Sequence, residues 1–287
     1  MENTVDNTSA SSSDLRHAAT DGGGGQIRIG IGGWTFEPWR DNFYPAGLAH
    51  SKELHYASRQ LTAIEVNGTF YSTFRPATFA KWHDETPDGF MFSLKAHRLV
   101  THRRVLATAG DAIARFVGSG IAQLQGKLGP IVWQFMPTKL FDPDDFEAFL
   151  QLLPADAGGV KLRHALDVRH PSFMTPEYLA LARKYQCATV FTDSDDYPSF
   201  ADVTGPFVYA RLMRTASKHA TGYPPKAIKR WAKAAQVWAQ GGEPDDVPLL
   251  ETGPKKKAKA RDVFMFFISG AKERAPAAAM ALIAQLK

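Results

Sequence analysis

The sequence predicts an α/β fold: a (β/α)8 barrel of the TIM type, with a reduced helix between strands six and seven. Three observations predict it. Eight short runs rich in β-branched and aromatic residues lie between Ile27 and Ile268, each with the length and composition of a buried strand. Helical patterns separate most of them, the alternation that a parallel sheet requires. The set fills residues 26–287 as one domain, a length that one such barrel occupies. A doubly wound open sheet is the alternative, but no GxGxxG follows the first strand in the dinucleotide-binding register.

Residues 1–25 are rich in Ser, Thr, Asn and Gly and end in Gly22-Gly23-Gly24-Gly25, so they are expected to be a disordered tail. Ile27–Gly32 reads as strand one, followed by an aromatic loop containing Trp34, Phe36, Trp39, Phe43 and Tyr44. Leu48–Gln60 carries Leu54, Ala57 and Leu61 at helical spacing. Thr62–Asn67 is strand two, broken at Gly68. Pro76–Glu85 is a helix with proline in its first turn. Phe90–Lys95 is strand three, after the turn Pro87-Asp88-Gly89. Asp111–Lys127 is a helix and Pro130–Phe135 strand four. Pro143–Leu153 is a helix whose start gathers Asp142, Asp144 and Asp145, as the helix dipole favours.

Leu162–Arg169 is strand five. Thr175-Pro176 opens a helix running to Gln186, with Thr as N-cap and proline at the first helical position. Ala188–Asp193 and Phe207–Leu212 are strands six and seven; Tyr197–Pro206 between them is too short and turn-rich for a full helix. Pro225–Gln240 is an amphipathic helix with Trp231 and Trp238, Val263–Ile268 is strand eight, and an Ala-rich helix, Ala275–Leu286, follows it.

Composition narrows the function classes. The chain of 287 residues is 44% hydrophobic and 22% charged, an ordinary globular balance. One cysteine, Cys187, rules out an internal disulfide and fits a reducing compartment. No apolar run reaches the ~18 residues of a membrane span, and residues 1–25 contain no apolar signal core. The cytoplasm is therefore the expected location, with no membrane partner. The net charge of +5 equals the five cations of one tract, Lys255, Lys256, Lys257, Lys259 and Arg261. That tract reads either as a solvated loop or as a nucleic-acid contact.

The period of two along a strand points to the site. Glu65 and Asn67 share one face of strand two, opposite Ile64 and Val66. Met91, Ser93 and Lys95 oppose Phe90, Phe92 and Leu94; Gln134 opposes Trp133 and Phe135; Asp167 and Arg169 oppose Leu166 and Val168. Asp193 opposes Val190 and Thr192, Tyr209 and Arg211 oppose Val208 and Ala210, and strand eight groups Met265, Phe267 and Ser269. The last inward position of most strands is thus polar: Glu65 with Asn67, Lys95, Gln134, Asp167 with Arg169, Asp193 and Arg211. The carboxyl ends of barrel strands are where such folds carry their chemistry. The competing reading is a structural salt-bridge plug, with Glu65 neutralised by Lys95 and Asp193 by Arg211.

Several segments together resemble a known family. They are Ile29-Gly30-Ile31-Gly32-Gly33-Trp34, Phe43-Tyr44-Pro45, Glu65-Val66-Asn67-Gly68-Thr69-Phe70-Tyr71, Lys95-Ala96-His97, Thr101-His102, Leu128-Gly129-Pro130, Gln134-Phe135-Met136-Pro137, Asp167-Val168-Arg169-His170, Asp193 and Tyr209-Ala210-Arg211-Leu212. In number and order they are similar to the YecE-like family, domain of unknown function 72. The resemblance implies a TIM-like barrel, akin to metal-dependent endonuclease and sugar-isomerase barrels, and no established reaction. This chain departs from the family pattern at Met213-Arg214, where His-Gly is usual, at Phe267-Ile268-Ser269-Gly270, at Asp167 where Glu is common, and at Phe173 where Trp is usual.

Two function classes follow. In the first, the barrel is a hydrolase or lyase acting on a small anionic substrate, phosphorylated, nucleotide-like or a sugar acid. Glu65 is then the acid/base, Asp193 its partner, and Lys95 the third catalytic group. Arg169 and Arg211 clamp the anion by bidentate forks. Trp34, Asn67, Tyr71, His97, His102, Gln134, Asp167 and His170 complete the expected binding set. In the second, the barrel binds nucleic acid or an anionic metabolite without turnover. No cofactor is expected. A divalent metal would need ligands drawn from Glu65, His97, His102, Asp167, His170 and Asp193, and no HExxH or Cys/His spacing assembles them.

Overall fold

The structure, a computed structural model, describes residues 24–251 and 259–287. Its centre is a closed barrel of eight parallel strands: β1 (Ile27–Gly32), β2 (Ala63–Val66), β3 (Met91–Lys95), β4 (Leu128–Gln134), β5 (His164–Asp167), β6 (Ala188–Asp193), β7 (Phe207–Leu212) and β8 (Asp262–Phe267). Sequence neighbours pair in order around the ring, and β8 closes it on β1 with Ile27 opposite Val263. The (β/α)8 fold expected from the alternation is therefore the fold observed.

The helices lie outside. Those of eight residues or more among the described residues are α1 (Glu53–Gln60), α2 (Pro76–Glu85), α3 (Gly110–Val117), α4 (Pro143–Gln151), α5 (Pro176–Lys184), α6 (Pro225–Ala239) and α7 (Ala275–Leu286). Local chemistry sets their ends. Asp142 and Thr175 accept from the backbone N–H of Asp145 and Tyr178, as N-caps do. The Lys127 ammonium donates to the carbonyls of His83 and Thr86 and so serves the open C-terminus of α2.

Three helical expectations change. Leu48–Gln60 becomes helical only from a 3-10 turn at His50 onward. Asp111–Lys127 is interrupted: Gly120 takes φ +107°, and a Cβ there would meet the Pro76 ring at 2.7 Å, so the chain turns and resumes as 3-10 at Ile121–Lys127. The helix between β6 and β7 is not merely reduced, since residues 194–206 contain none.

Two apolar layers form the core. The large side chains Trp133, Trp231, Trp238, Phe92, Phe135 and Tyr178 fill the space between strands and helices. Inside the barrel sit Ala63, Met91, Val132, Ala165, Ala188, Val190, Phe207, Tyr209, Phe264 and Phe266. Strand eight therefore turns Phe264 and Phe266 inward, where both stack on Tyr209 at 6.4 and 5.1 Å, and leaves Met265 and Phe267 on the helix side. Gly30 marks the tightest strand approach: a Cβ there would lie 2.1 Å from the Ala63 carbonyl oxygen. Gly30→Ala is expected to cost about 3 kcal/mol through overpacking. An unchanged denaturation midpoint in that variant would contradict the β1–β2 pairing.

Two earlier segments fall partly or wholly outside the described residues: most of the N-terminal tail, and Lys255, Lys256 and Lys257 of the basic tract. Arg261 of that tract is described. It is buried, and its guanidinium donates to the Gly241 carbonyl. Among the described residues no helix is long and apolar enough to cross a membrane.

Candidate functional site

At the carboxyl ends of the strands, six barrel side chains form one largely buried network. Arg211 on β7 is its centre. Its Nε and Nη2 donate to the two oxygens of Glu65 on β2, at 3.1 and 2.7 Å. Its Nη1 donates to Asp167 Oδ2 on β5 at 2.7 Å and to Gln134 Oε1 on β4 at 3.1 Å. Tyr209 donates its hydroxyl to Glu65 at 2.7 Å and shares a further hydrogen bond with Ser93. Burial alone would push the Arg211 guanidinium down, but Glu65 and then Asp167 hold it above its ordinary value. Both oxygens of Glu65 are bonded, and Glu65 is 0% exposed. Asp167 Oδ1 is buried with no hydrogen-bond partner among the described residues.

Above this floor lies a cavity of about 370 Å3. Its wall includes Asn67, Tyr71, Lys95, Gln134, Arg169, Arg211 and, from the loop after β8, Ser269 and Lys272. Four of the lining side chains are cations and none is a carboxylate. Arg211 is already neutralised from below. Arg169 donates Nε and Nη2 to Asp167 and stacks on Tyr197 at 4.3 Å, which leaves its Nη1 without a hydrogen bond among the described residues. Lys95 and Lys272 make no ion pair among the described residues. Each is held instead over aromatic faces: Lys95 over Phe70 at 3.9 Å, Lys272 over Phe36 at 4.3 Å and Trp39 at 5.4 Å. Burial first, and the charge of Arg211 second, lower Lys95 to about 8. Ser269 adopts φ +67°, a left-handed conformation that costs a non-glycine residue about 1 kcal/mol and is concentrated at functional sites.

The expected site residues separate on this geometry. Glu65, Asn67, Lys95, Gln134, Asp167, Arg169 and Arg211 converge at the mouth, and Tyr71 stands at its rim, 62% exposed. Asp193 does not join them. Phe191, two residues earlier, packs on Trp231 and Trp238 of α6, so this parity of β6 faces the helices and Val190 faces inward. Asp193 accepts instead from Tyr223 at 3.1 Å and lies 3.4 Å from the Arg214 guanidinium. Burial raises its carboxyl against the pull of Arg214. The pairing of Asp193 with Arg211 is thereby corrected, as is that of Glu65 with Lys95: Arg211 takes Glu65 and Asp167.

The histidines serve the loops. His97 and His170 accept from the backbone N–H two residues on, at Leu99 and Ser172, and so cap short turns. His102 packs edge-on against Phe70 outside the lining. Trp34 packs on Trp82 and Phe92, so loop packing accounts for it, as it does for the buried Tyr44. Sequence reasoning missed Tyr197, Met213 and Lys272, all in loops that follow barrel strands. That position was the available signal, since every such loop reaches the mouth.

The donor chemistry does not fit a divalent cation. Among the described residues no three His, Cys, Asp or Glu side chains are grouped to hold a metal, and four lining cations repel one. A larger cavity of about 580 Å3 opens at the amino ends of the strands, between Leu128, Leu150, Leu162 and Phe207. Barrels of this kind carry their chemistry at the opposite face.

Fold and mouth together define a TIM-like barrel with a cationic cavity at its carboxyl face. Residues 28–287 match the model of a family described as protein of unknown function DUF72, and the chain belongs to that family. It is 27% identical over 150 residues to the UPF0759 protein YecE of Escherichia coli K12, covering 51% of this chain and 50% of that protein. The chain thus spans about half the length of that curated relative. It is 25% identical over 259 residues to the UPF0759 protein YunF of Bacillus subtilis 168, covering 84% and 88%. A crystal structure of a DUF72 family protein from Thermotoga maritima superimposes with a TM-score of 0.68 at 18% identity, covering 91% and 98% of the two chains. One from Enterococcus faecalis gives 0.66 at 16%, covering 91% and 95%. At those identities the structural likeness bears on the fold alone.

Proposed function

We propose that the barrel mouth binds a small anion and that the protein is an enzyme acting on it, a lyase in preference to a hydrolase. The observation that carries this reading is the lining: four cationic side chains, two of them lysines without ion pairs among the described residues, and no carboxylate. A volume of about 370 Å3 suits a metabolite. Phosphorylated, nucleotide-like and sugar-acid molecules all carry the required charge. Hydrolysis by two carboxylates is the less supported branch, because Glu65 is fully buried beneath Arg211 and Asp193 is bonded elsewhere. In this reading Glu65 and Asp167 are positioning residues that hold Arg211 and Arg169, while Arg169, Lys95 and Lys272 meet the ligand.

Binding without turnover is the second reading, with a metabolite or a nucleic acid as the ligand. For a nucleic acid the basic tract offers one fewer cation, since Arg261 is buried and bonded to Gly241.

Inorganic phosphate is the simplest probe. It is expected to raise the melting temperature in a thermal-shift titration, and the shift should shrink in Arg169→Ala, whose free Nη1 is lost. An equal shift in that variant, or none in the natural chain, would count against the anion site. Duplex DNA failing to compete with phosphate would separate the metabolite from the nucleic-acid reading.

A further inference from the structure

We infer that Lys95 is an amine nucleophile that condenses with the carbonyl of a small 2-oxo acid bound at the mouth, its carboxylate held by Arg169. The inference rests on the anion-site reading above and names the substrate class for it.

Four observations converge on Lys95. It ends a barrel strand, so its stem is fixed by the sheet rather than by a loop. Its backbone carbonyl also accepts from Thr69 Oγ1 at 2.7 Å, which pins the strand end. Its ammonium lines the cavity yet makes no hydrogen bond or ion pair among the described residues. Other lysines among the described residues do otherwise: Lys127 donates to two carbonyls, and Lys139 and Lys184 hold Asp145 and Glu147. The two carboxylates of the network, Glu65 and Asp167, pair with Arg211, and neither forms an ion pair with Lys95. Burial and neighbouring cations lower its affinity for a proton, the condition under which a lysine becomes nucleophilic near neutral pH.

The step balances without any further reagent. The neutral amine attacks the carbonyl carbon, forming a C–N bond and a carbinolamine whose former carbonyl oxygen takes a proton. That hydroxyl then leaves as water while the nitrogen lone pair forms the C=N bond. Overall, ammonium plus ketone gives protonated imine plus water. The iminium withdraws electrons from the adjacent carbon, which is what C–C cleavage or proton loss beside the carbonyl requires.

Lys272 is the competing amine. It stands on a single 3-10 turn after β8 and is half-buried over Phe36 and Trp39. Lys95 is 7% exposed and sits deeper in the cavity wall.

The test is reductive trapping of the full chain with pyruvate and sodium borohydride, read by mass spectrometry and peptide mapping. One adduct is expected, heavier by pyruvic acid less one oxygen, on the peptide containing Lys95. Its yield should rise as the pH climbs toward 8 and fall when inorganic phosphate competes. Lys95→Arg, which keeps the charge and length, should lose it. An adduct on Lys272, labelling spread over surface lysines, or equal labelling of Lys95→Arg would overturn the inference. If phosphate raises the melting temperature but pyruvate is not trapped, the inference falls and the anion site stands. If neither occurs, both fall.

Discussion

Arg211→Met is expected to lower stability by about 3–5 kcal/mol, the cost of leaving a buried ion pair without one partner. Arg211 is 2% exposed and spans Glu65, Asp167 and Gln134 across the barrel. Methionine fills much of its volume but leaves two carboxylates buried without their cation. Chemical denaturation of the variant beside the natural chain measures this. Adding Glu65→Gln in the same chain should return part of the loss, because an amide needs no countercharge and Tyr209 can still donate to it. A single variant within about 1 kcal/mol of the natural chain would mean that the network is solvated rather than buried.

Lys95→Met is expected to act in the opposite direction on stability while removing the site. Lys95 titrates at about 8 in the folded chain against an ordinary 10.5. Below about 8 both folded and unfolded chains carry the proton, and the cost of the buried charge is fully present. Between about 8 and 10.5 the folded chain releases a proton that the unfolded chain keeps, so stability rises with pH through that window. Arg211 and Arg169 push in this direction, Glu65 and Asp167 oppose it, and the Phe70 ring partly stabilises the charge. Methionine removes the deficit: a gain on the order of 2 kcal/mol at neutral pH, a flatter profile above pH 8, and no stabilisation by phosphate. A less stable variant that phosphate still stabilises would contradict the assignment of Lys95. Proteins commonly hold such destabilising groups where function needs them.

Much of the site was legible from alternation alone. Alternation assigns Glu65, Lys95, Gln134, Asp167 and Arg211 to the interior because each is the polar residue near the end of its strand, on the parity opposite apolar neighbours. In those strands the bulky set, such as Ile64 with Val66 or Phe92 with Leu94, needs the helix layer. Asp193 failed the same reasoning. Polarity at the strand end suggests an inward position, whereas Phe191 packs on Trp231 and Trp238 and anchors that parity on α6. Strand eight shows the limit from the other side. Its aromatics occupy both faces, and only the stacking of Phe264 and Phe266 on Tyr209 distinguishes them.

The sequence by itself determined the barrel, because the alternation of strand and helix patterns is a local property that survives small errors of boundary. It also determined which charged residues had to be accommodated at the strand ends. Only the tertiary structure decided who pairs with whom. Arg211 reaches Glu65 and Asp167 because closing the sheet brings β2, β5 and β7 within side-chain reach across the barrel. That closure pairs both carboxylates with Arg211 and leaves Lys95 and Lys272 facing the cavity on aromatic rings. Pairing depends on distance in space, which strand periodicity does not encode, and so the residual positive charge that marks this mouth became visible only in the folded chain.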